Sequence, residues 1–181
     1  MESTLAILLR KTRFSDTSLI ITWFTLAHGK LKTVAKGALR PKSRFAGTLD
    51  LFFECEIGFA RSAKSELHTL REAALRDSRE RLRLDYMRVA LAAYFVELIE
   101  QVTELEHPAD DLYDLLQRAL AHLGEKSASQ KALLHFEREL ARMLGIQNPA
   151  VTPIVAIGRA YHRIPSTRAG LLKILPAPEP L

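Results

Sequence analysis

The first third of the chain alternates between apolar and polar residues in the way that β-strands do. The clearest case is residues 49–59, where every odd position is apolar and three of the even positions are acidic. A period of two is typical of an antiparallel strand with one buried and one wet face. Shorter runs rich in aliphatic, β-branched or aromatic residues lie at 5–9, 19–26, 30–36 and 66–73. Five short strands predict a small closed β-barrel, because closure removes exposed strand edges.

From residue 84 onward the apolar residues recur every three or four positions, which is the period of a helix. This pattern predicts a long helix over 84–102, a second over 112–123 and a third that ends at Gly145. Ser127 followed by Gln130 has the capping-box spacing expected at the start of the third helix. We therefore predict an α+β protein with a barrel domain at 1–77 and a helical domain at 78–147.

The remaining residues, 148–181, contain six of the eight prolines of the chain. Because proline interrupts helices and sheet ladders, this tail cannot form one continuous element. Residues 166–175 are the one stretch in it that could form a short helix. We predict a proline-rich C-terminal tail.

The positive charge of the chain is concentrated in the barrel domain. Residues 1–77 contain 13 Lys and Arg against 8 Asp and Glu, which gives +5, whereas residues 78–181 contain 13 of each. Residues 17–49 have no acidic residue at all. A block of one sign indicates a polyanionic partner, although a basic surface that only aids solubility explains the composition equally well.

The cations of this block lie on one predicted strand and the loop that follows it. On a strand, Lys30, Lys32 and Lys36 would leave the same face, and the loop adds Arg40, Lys42 and Arg44. Such an array can follow a phosphate backbone and gain affinity from counterion release.

Aromatic rings could add stacking on unpaired bases. The candidates are Phe14, Trp23, Phe45 and Phe52. Phe52 lies on the wet parity of its strand. The pattern favours a core position for Trp23, and it leaves Phe45 open between base contact and structural anchoring.

The sequence argues against several other classes of protein. No apolar run approaches the roughly 20 residues of a membrane span, and the first residues lack the basic segment of a secretory signal. Cys55 is the only cysteine, so we expect neither an internal disulfide nor a cysteine-cluster zinc site. A cytoplasmic location fits best.

The sequence also lacks the motifs of common enzyme classes. Lys42-Ser43 could end a nucleotide-binding loop only if glycine stood where Lys36 and Pro41 stand. The six histidines lack the spacing of metal sites. We therefore expect a protein that is not an enzyme and that takes no metal or cofactor.

Several segments in this order resemble one family, the RecO DNA-repair proteins. They are Arg13-Phe14-Ser15-Asp16-Thr17-Ser18-Leu19-Ile20, Phe24-Thr25, His28-Gly29-Lys30-Leu31, Ala35-Lys36-Gly37-Ala38, Arg40-Pro41-Lys42-Ser43-Arg44-Phe45-Ala46-Gly47 and Leu67-His68-Thr69-Leu70-Arg71-Glu72-Ala73. A weaker match to the helical region of the family follows at Phe136-Glu137-Arg138-Glu139-Leu140 and Leu144-Gly145.

This resemblance implies an OB-fold barrel followed by a helical domain in a bacterial protein of the RecF recombination pathway, located in the cytoplasm with the nucleoid. Such a protein would bind and anneal single-stranded DNA. It would also assist RecA loading, with RecR, on DNA covered by single-strand-binding protein. The DNA-binding role would fall on cations that the charge pattern also selects: Lys30, Lys36, Arg40, Lys42 and Arg44.

The resemblance further implies that the helical domain binds the acidic C-terminal tail of single-strand-binding protein. Here an apolar Leu134 beside Lys131, Arg138 and Arg142 could receive such a tail, and a plain solvated helix face is an equally good interpretation. The alternative function is therefore an adaptor that binds this tail and has little DNA binding of its own.

The chain departs from the family in one respect. Many members carry a four-cysteine zinc module after the helix that ends near Leu144, and residues 148–164 take that place here. The sequence therefore predicts a fold without the zinc module. This leaves open any partner contact that the module makes, including contact with RecR.

Overall fold

The structure, a computed structural model, describes residues 1–177 and divides into two compact units. The barrel unit contains Met1–Arg79 and Thr103–Tyr113. The helical unit contains Glu80–Val102 and the described residues from Asp114 onward. The first boundary lies within two residues of the predicted one at 77. However, residues 103–113 join the barrel, and the predicted tail belongs to the helical unit.

Five strands form the barrel: β1 (Glu2–Arg13), β2 (Leu19–Thr25), β3 (Gly29–Ala35), β4 (Glu54–Ala60) and β5 (Leu67–Asp77). They close in the order β1-β2-β3-β5-β4, with β3 and β5 parallel and all other neighbours antiparallel. This is the topology of an OB-fold, so the predicted five-stranded barrel is confirmed.

The barrel core is filled from the inward positions of the strands. Trp23 is completely buried in it, and its indole Nε1–H donates a hydrogen bond to Thr33 Oγ1 at 2.9 Å. The prediction that Trp23 is a core residue is therefore confirmed. Cys55 is also completely buried, and this burial, with a smaller contribution from Glu54, raises the pKa of its thiol to about 11. The thiol is thus protonated and unreactive at neutral pH.

The predicted strand over 49–59 is wrong in its first half, because β4 begins only at Glu54. Phe52 adopts a left-handed backbone conformation, with φ at 69°, which interrupts the alternation of an extended strand. Its side chain is 4% exposed, so it does not lie on a wet face. Leu49 and Leu51 pack against the barrel core from the preceding loop instead.

The helical unit contains a 3-10 turn at Glu80–Leu84 and five helices, the second of which starts within the barrel unit. These are α1 (Tyr86–Val102), α2 (Asp110–Glu125), α3 (Gln130–Met143), α4 (Pro153–Tyr161) and α5 (Thr167–Ile174). The three long helices and the short α5 agree with the predicted pattern, whereas the pattern does not predict α4. The cap of α3 was placed two residues early, since Ser129 rather than Ser127 accepts the hydrogen bond from the backbone N–H of Ala132.

The C-terminal region is an integral part of this unit. Glu137 on α3 is 1% exposed and receives two hydrogen bonds from Arg168 on α5, at 2.6 and 3.0 Å. Tyr94 on α1 donates a third, at 2.5 Å. Residues 178–181 of the predicted tail lie outside the described residues.

Within residues 1–177, none of the helices has the length and apolar character needed to cross a bilayer.

Candidate nucleic-acid interface

Lys32 is the exposed cation on the outer face of β3, and it lies in a cross-strand row that also crosses β2 and β1. Lys32 pairs with Thr22 on β2, and Thr22 pairs with Arg10 on β1. Cross-strand partners point to the same side of a sheet, so Arg10 and Lys32 share the outer face, and both are exposed. In OB-folds, the face of strands 2 and 3 is the usual site for oligonucleotides. Arg10 was missed by sequence reasoning.

Lys30 has a different environment from Lys32. Its ammonium donates a hydrogen bond to the Thr103 carbonyl oxygen at 2.6 Å, and its own carbonyl accepts one from the backbone N–H of Glu106 at 2.8 Å. Lys30 therefore anchors the segment 103–113 to β3. Because its ammonium is engaged within the barrel unit, Lys30 does not add to the exposed positive charge of β3.

The loop between β3 and β4 carries the other predicted cations. It is a succession of tight turns closed by backbone hydrogen bonds, such as that from Arg40 N–H to the Gly37 carbonyl at 3.1 Å and from Ser43 N–H to the Arg40 carbonyl at 3.0 Å. Its exposed cations together with the exposed lysine on β3 form what we call the basic surface: Lys32, Lys36, Arg40, Lys42 and Arg44.

Phe45 fixes this loop to the barrel. Its side chain is 3% exposed and lies among the residues of the barrel core. The guanidinium of Arg44 lies over the ring, 5.1 Å from its centroid. Of the two predicted roles for Phe45, the structure shows structural anchoring, and a ring buried in this way cannot stack on a base.

The charges of the basic surface are largely uncompensated. Within residues 1–177, Lys32, Lys36, Arg40 and Lys42 form no ion pair. The two acids that border the acid-free segment are each paired elsewhere, Asp16 with Arg13 at 3.3 Å and Asp50 with Lys11 at 2.6 Å. Several like charges held on one loop without counter-charges create a positive potential that attracts a polyanion.

A second feature lies wholly within the helical unit, as a groove of about 810 Å³ between α2 and α3. Its floor includes the stacked rings of Phe95 and Phe136, whose centroids are 4.1 Å apart. Among residues 1–177, no acidic residue lines it, whereas six basic or histidine side chains do: Arg118, His122, Lys126, Lys131, His135 and Arg138.

Three of the four predicted partner-binding residues line this groove, namely Lys131, Leu134 and Arg138. Leu134 is 43% exposed and so offers an apolar contact at the groove. Arg142 is not among the lining residues, and it forms an ion pair with Glu139 at 3.0 Å. We call this feature the helical groove. Residues 1–177 contain no cluster of three or more His, Cys, Asp or Glu able to hold a metal ion.

Comparison with known proteins agrees with this architecture. A family model described as "Recombination protein O N terminal" matches residues 1–79, and a second, "Recombination protein O C terminal", matches residues 83–149. The chain belongs to the RecO family. The two matches follow the barrel and the first three helices, so the expected family and OB-fold are confirmed.

Individual RecO proteins are similar over most of this chain. Identity is 31% over 159 residues to the DNA repair protein RecO of Rhodopirellula baltica, 34% over 162 to that of Desulfatibacillum aliphaticivorans and 36% over 149 to that of Salinibacter ruber. These matches cover 82–88% of the chain but only 57–62% of each relative. The chain therefore spans somewhat more than half the length of these RecO proteins.

Proposed function

We propose that the barrel unit binds single-stranded DNA through the basic surface, and that the protein acts in bacterial DNA repair, in the cytoplasm, as a recombination mediator without catalytic turnover. The observation that carries this proposal is the set of exposed cations on an OB-fold barrel that have no ion-pair partner among residues 1–177. OB-folds bind oligonucleotides on the face of strands 2 and 3, where Lys32 lies, and the RecO family is named for recombination.

Binding of this kind depends strongly on salt. The five cations of the basic surface offer four or five contacts to phosphates, and each contact with a single strand releases condensed counterions. We therefore expect log K for an oligo-dT strand to fall with log salt concentration with a slope of about −3 to −4. Fluorescence anisotropy at several salt concentrations measures this slope. Absence of binding at low salt would contradict the proposal.

We also propose that the helical groove binds the acidic C-terminal tail of single-strand-binding protein. The groove combines an apolar floor with cations on its rim, and none of the described residues that line it is acidic. An acidic peptide with apolar side chains is complementary to such a groove in both hydrophobic character and charge. The same groove would serve the alternative function, an adaptor with little DNA binding of its own.

The Lys131→Glu variant tests the groove against a matched control. Reversal of a charge in the lining is expected to weaken binding of a fluorescein-labelled acidic tail peptide about ten-fold, or about 1.4 kcal/mol. Arg142→Glu makes the same charge change on the same helix outside the groove and is expected to have little effect. Equal loss in both variants would show a general charge effect and would contradict a site in the groove.

Strand annealing separates the mediator from the adaptor. We expect the protein to accelerate annealing of complementary oligonucleotides coated with single-strand-binding protein, because it would engage both the strand and the coating protein. Tail binding without annealing or DNA binding would favour the adaptor.

Addition of RecR and RecA to the same assay tests whether this chain supports the family's loading reaction, which we propose by similarity.

A further inference from the structure

Phe14 stands apart from the other aromatic side chains of the barrel unit. Its side chain is 57% exposed. Among the described residues of this unit, the other aromatic side chains are buried or half-buried. Two of the other stacking candidates, Phe45 and Phe52, are only 3% and 4% exposed. A ring that is to stack on a ligand must be accessible, and Phe14 meets this condition.

Backbone hydrogen bonds place Phe14 beside the loop of the basic surface. The β1–β2 turn that carries it is closed by a bond from Phe14 N–H to the Ser18 carbonyl at 3.0 Å. The same turn is joined to the β3–β4 loop, since Leu39 N–H donates to the Thr17 carbonyl at 3.0 Å. Leu39 lies next to Arg40 and is itself 46% exposed. An exposed ring and an exposed aliphatic side chain thus border the cations.

We propose that Phe14 stacks on an unpaired base of a strand held by the basic surface, and that it thereby selects single strands over duplexes. This inference rests on the proposed DNA binding. Single strands and duplexes both offer phosphates to the basic surface. In a duplex, however, the bases already stack on one another. Only an unpaired base has a face free for Phe14, and such stacking tolerates any base.

The test compares Phe14→Ala with the unaltered protein on three ligands of equal length: oligo-dT, a strand of abasic residues and a duplex. For oligo-dT, we expect affinity to fall by roughly five-fold to 150-fold, the range for one stacked base. For the abasic strand and the duplex, we expect no change. The salt slope should also be unchanged, because phenylalanine contributes no charge. Phe14→Trp should retain the affinity, and its indole fluorescence should be quenched by oligo-dT but not by the abasic strand.

A matched control is Tyr86→Ala, which removes a ring that is 76% exposed in the helical unit, and it should not change any of the three affinities. Equal loss on oligo-dT and the abasic strand would overturn the stacking role, as would unaltered oligo-dT binding by Phe14→Ala. In both cases a steep salt slope would leave the proposed DNA binding intact. If the unaltered protein binds no strand at low salt, the proposed function itself fails.

Discussion

Replacement of Lys36, Arg40 and Lys42 together by glutamate is expected to weaken binding of oligo-dT at low salt by at least 100-fold, or about 3 kcal/mol. All three side chains are exposed on one loop and have no ion-pair partner within residues 1–177. The change removes three phosphate contacts and adds three repulsive charges. Because each lost contact lowers the slope by about 0.7 for a single strand, the slope of log K against log salt should become shallower by about 2.

The control for this variant must have the same net charge. Lys64, Arg159 and Lys173 are exposed cations outside the basic surface. Each replacement by glutamate lowers the net charge by two, so both triple variants change from +5 to −1. Anisotropy titrations should show a modest loss for the control and an almost unchanged slope. The same large loss in both variants would mean that the total charge, rather than the basic surface, determines binding.

The barrel could be predicted because each of its strands carries a local signal, either strict alternation or a run of β-branched and aromatic residues. The first half of the predicted strand over 49–59 failed for a specific reason. Leu49 and Leu51 reach the core from a loop, so their spacing matches that of a strand although the backbone is not extended. The left-handed conformation of Phe52 gives no signal in the sequence, since phenylalanine seldom adopts it.

The candidate DNA-binding cations were predictable from charge alone, but their environments were not. Lys30 is engaged by Thr103, which lies 73 residues later in the chain. Arg10 joins the row of Lys32 only through a register that shifts between Leu8 and Arg10. Such a bulge changes which face a side chain occupies. Long-range contacts and bulges are set by tertiary structure, so periodicity along one strand cannot reveal them.

Aromatic residues in loops show the same limit. Phe14 and Phe45 both lie in turns close to cations, yet one ring is exposed and the other is part of the core. A strand has a parity that assigns each side chain to a face, whereas a turn has none. The choice between anchoring and base contact therefore needed the structure.

The prolines of the C-terminal region predict interruptions of regular structure and so give no indication of α4. Pro153 occupies the first turn of that helix, where the missing N–H costs nothing. Helices α4 and α5 then bring residues such as Arg168 into the helical unit. The region is thus held by an ion pair whose glutamate is buried and whose arginine is partly exposed, and the contribution of this pair to stability can be tested.

Arg168→Met is expected to lower the free energy of unfolding by about 3–5 kcal/mol, the usual cost of leaving one member of a buried ion pair without its partner. Glu137 is 1% exposed and depends on the bidentate contact from Arg168 for its counter-charge. The hydrogen bond to Glu137, opposed in part by burial, raises the pKa of Arg168, which shows that the pair favours the charged form of the arginine. Urea denaturation followed by circular dichroism should show a lower midpoint with a similar slope.

Two further variants separate the buried charge from the loss of a contact to the C-terminal region. Arg163→Met removes an ion pair with Glu97 in which both side chains are partly exposed, at 64% and 26%, and such pairs contribute about 0–1 kcal/mol. Glu137→Gln in the Arg168→Met background removes the unpaired charge while an amide oxygen still accepts from Tyr94. It should therefore restore part of the lost stability. If Arg163→Met costs as much as Arg168→Met, or if the glutamine restores nothing, the effect does not come from an uncompensated charge at Glu137.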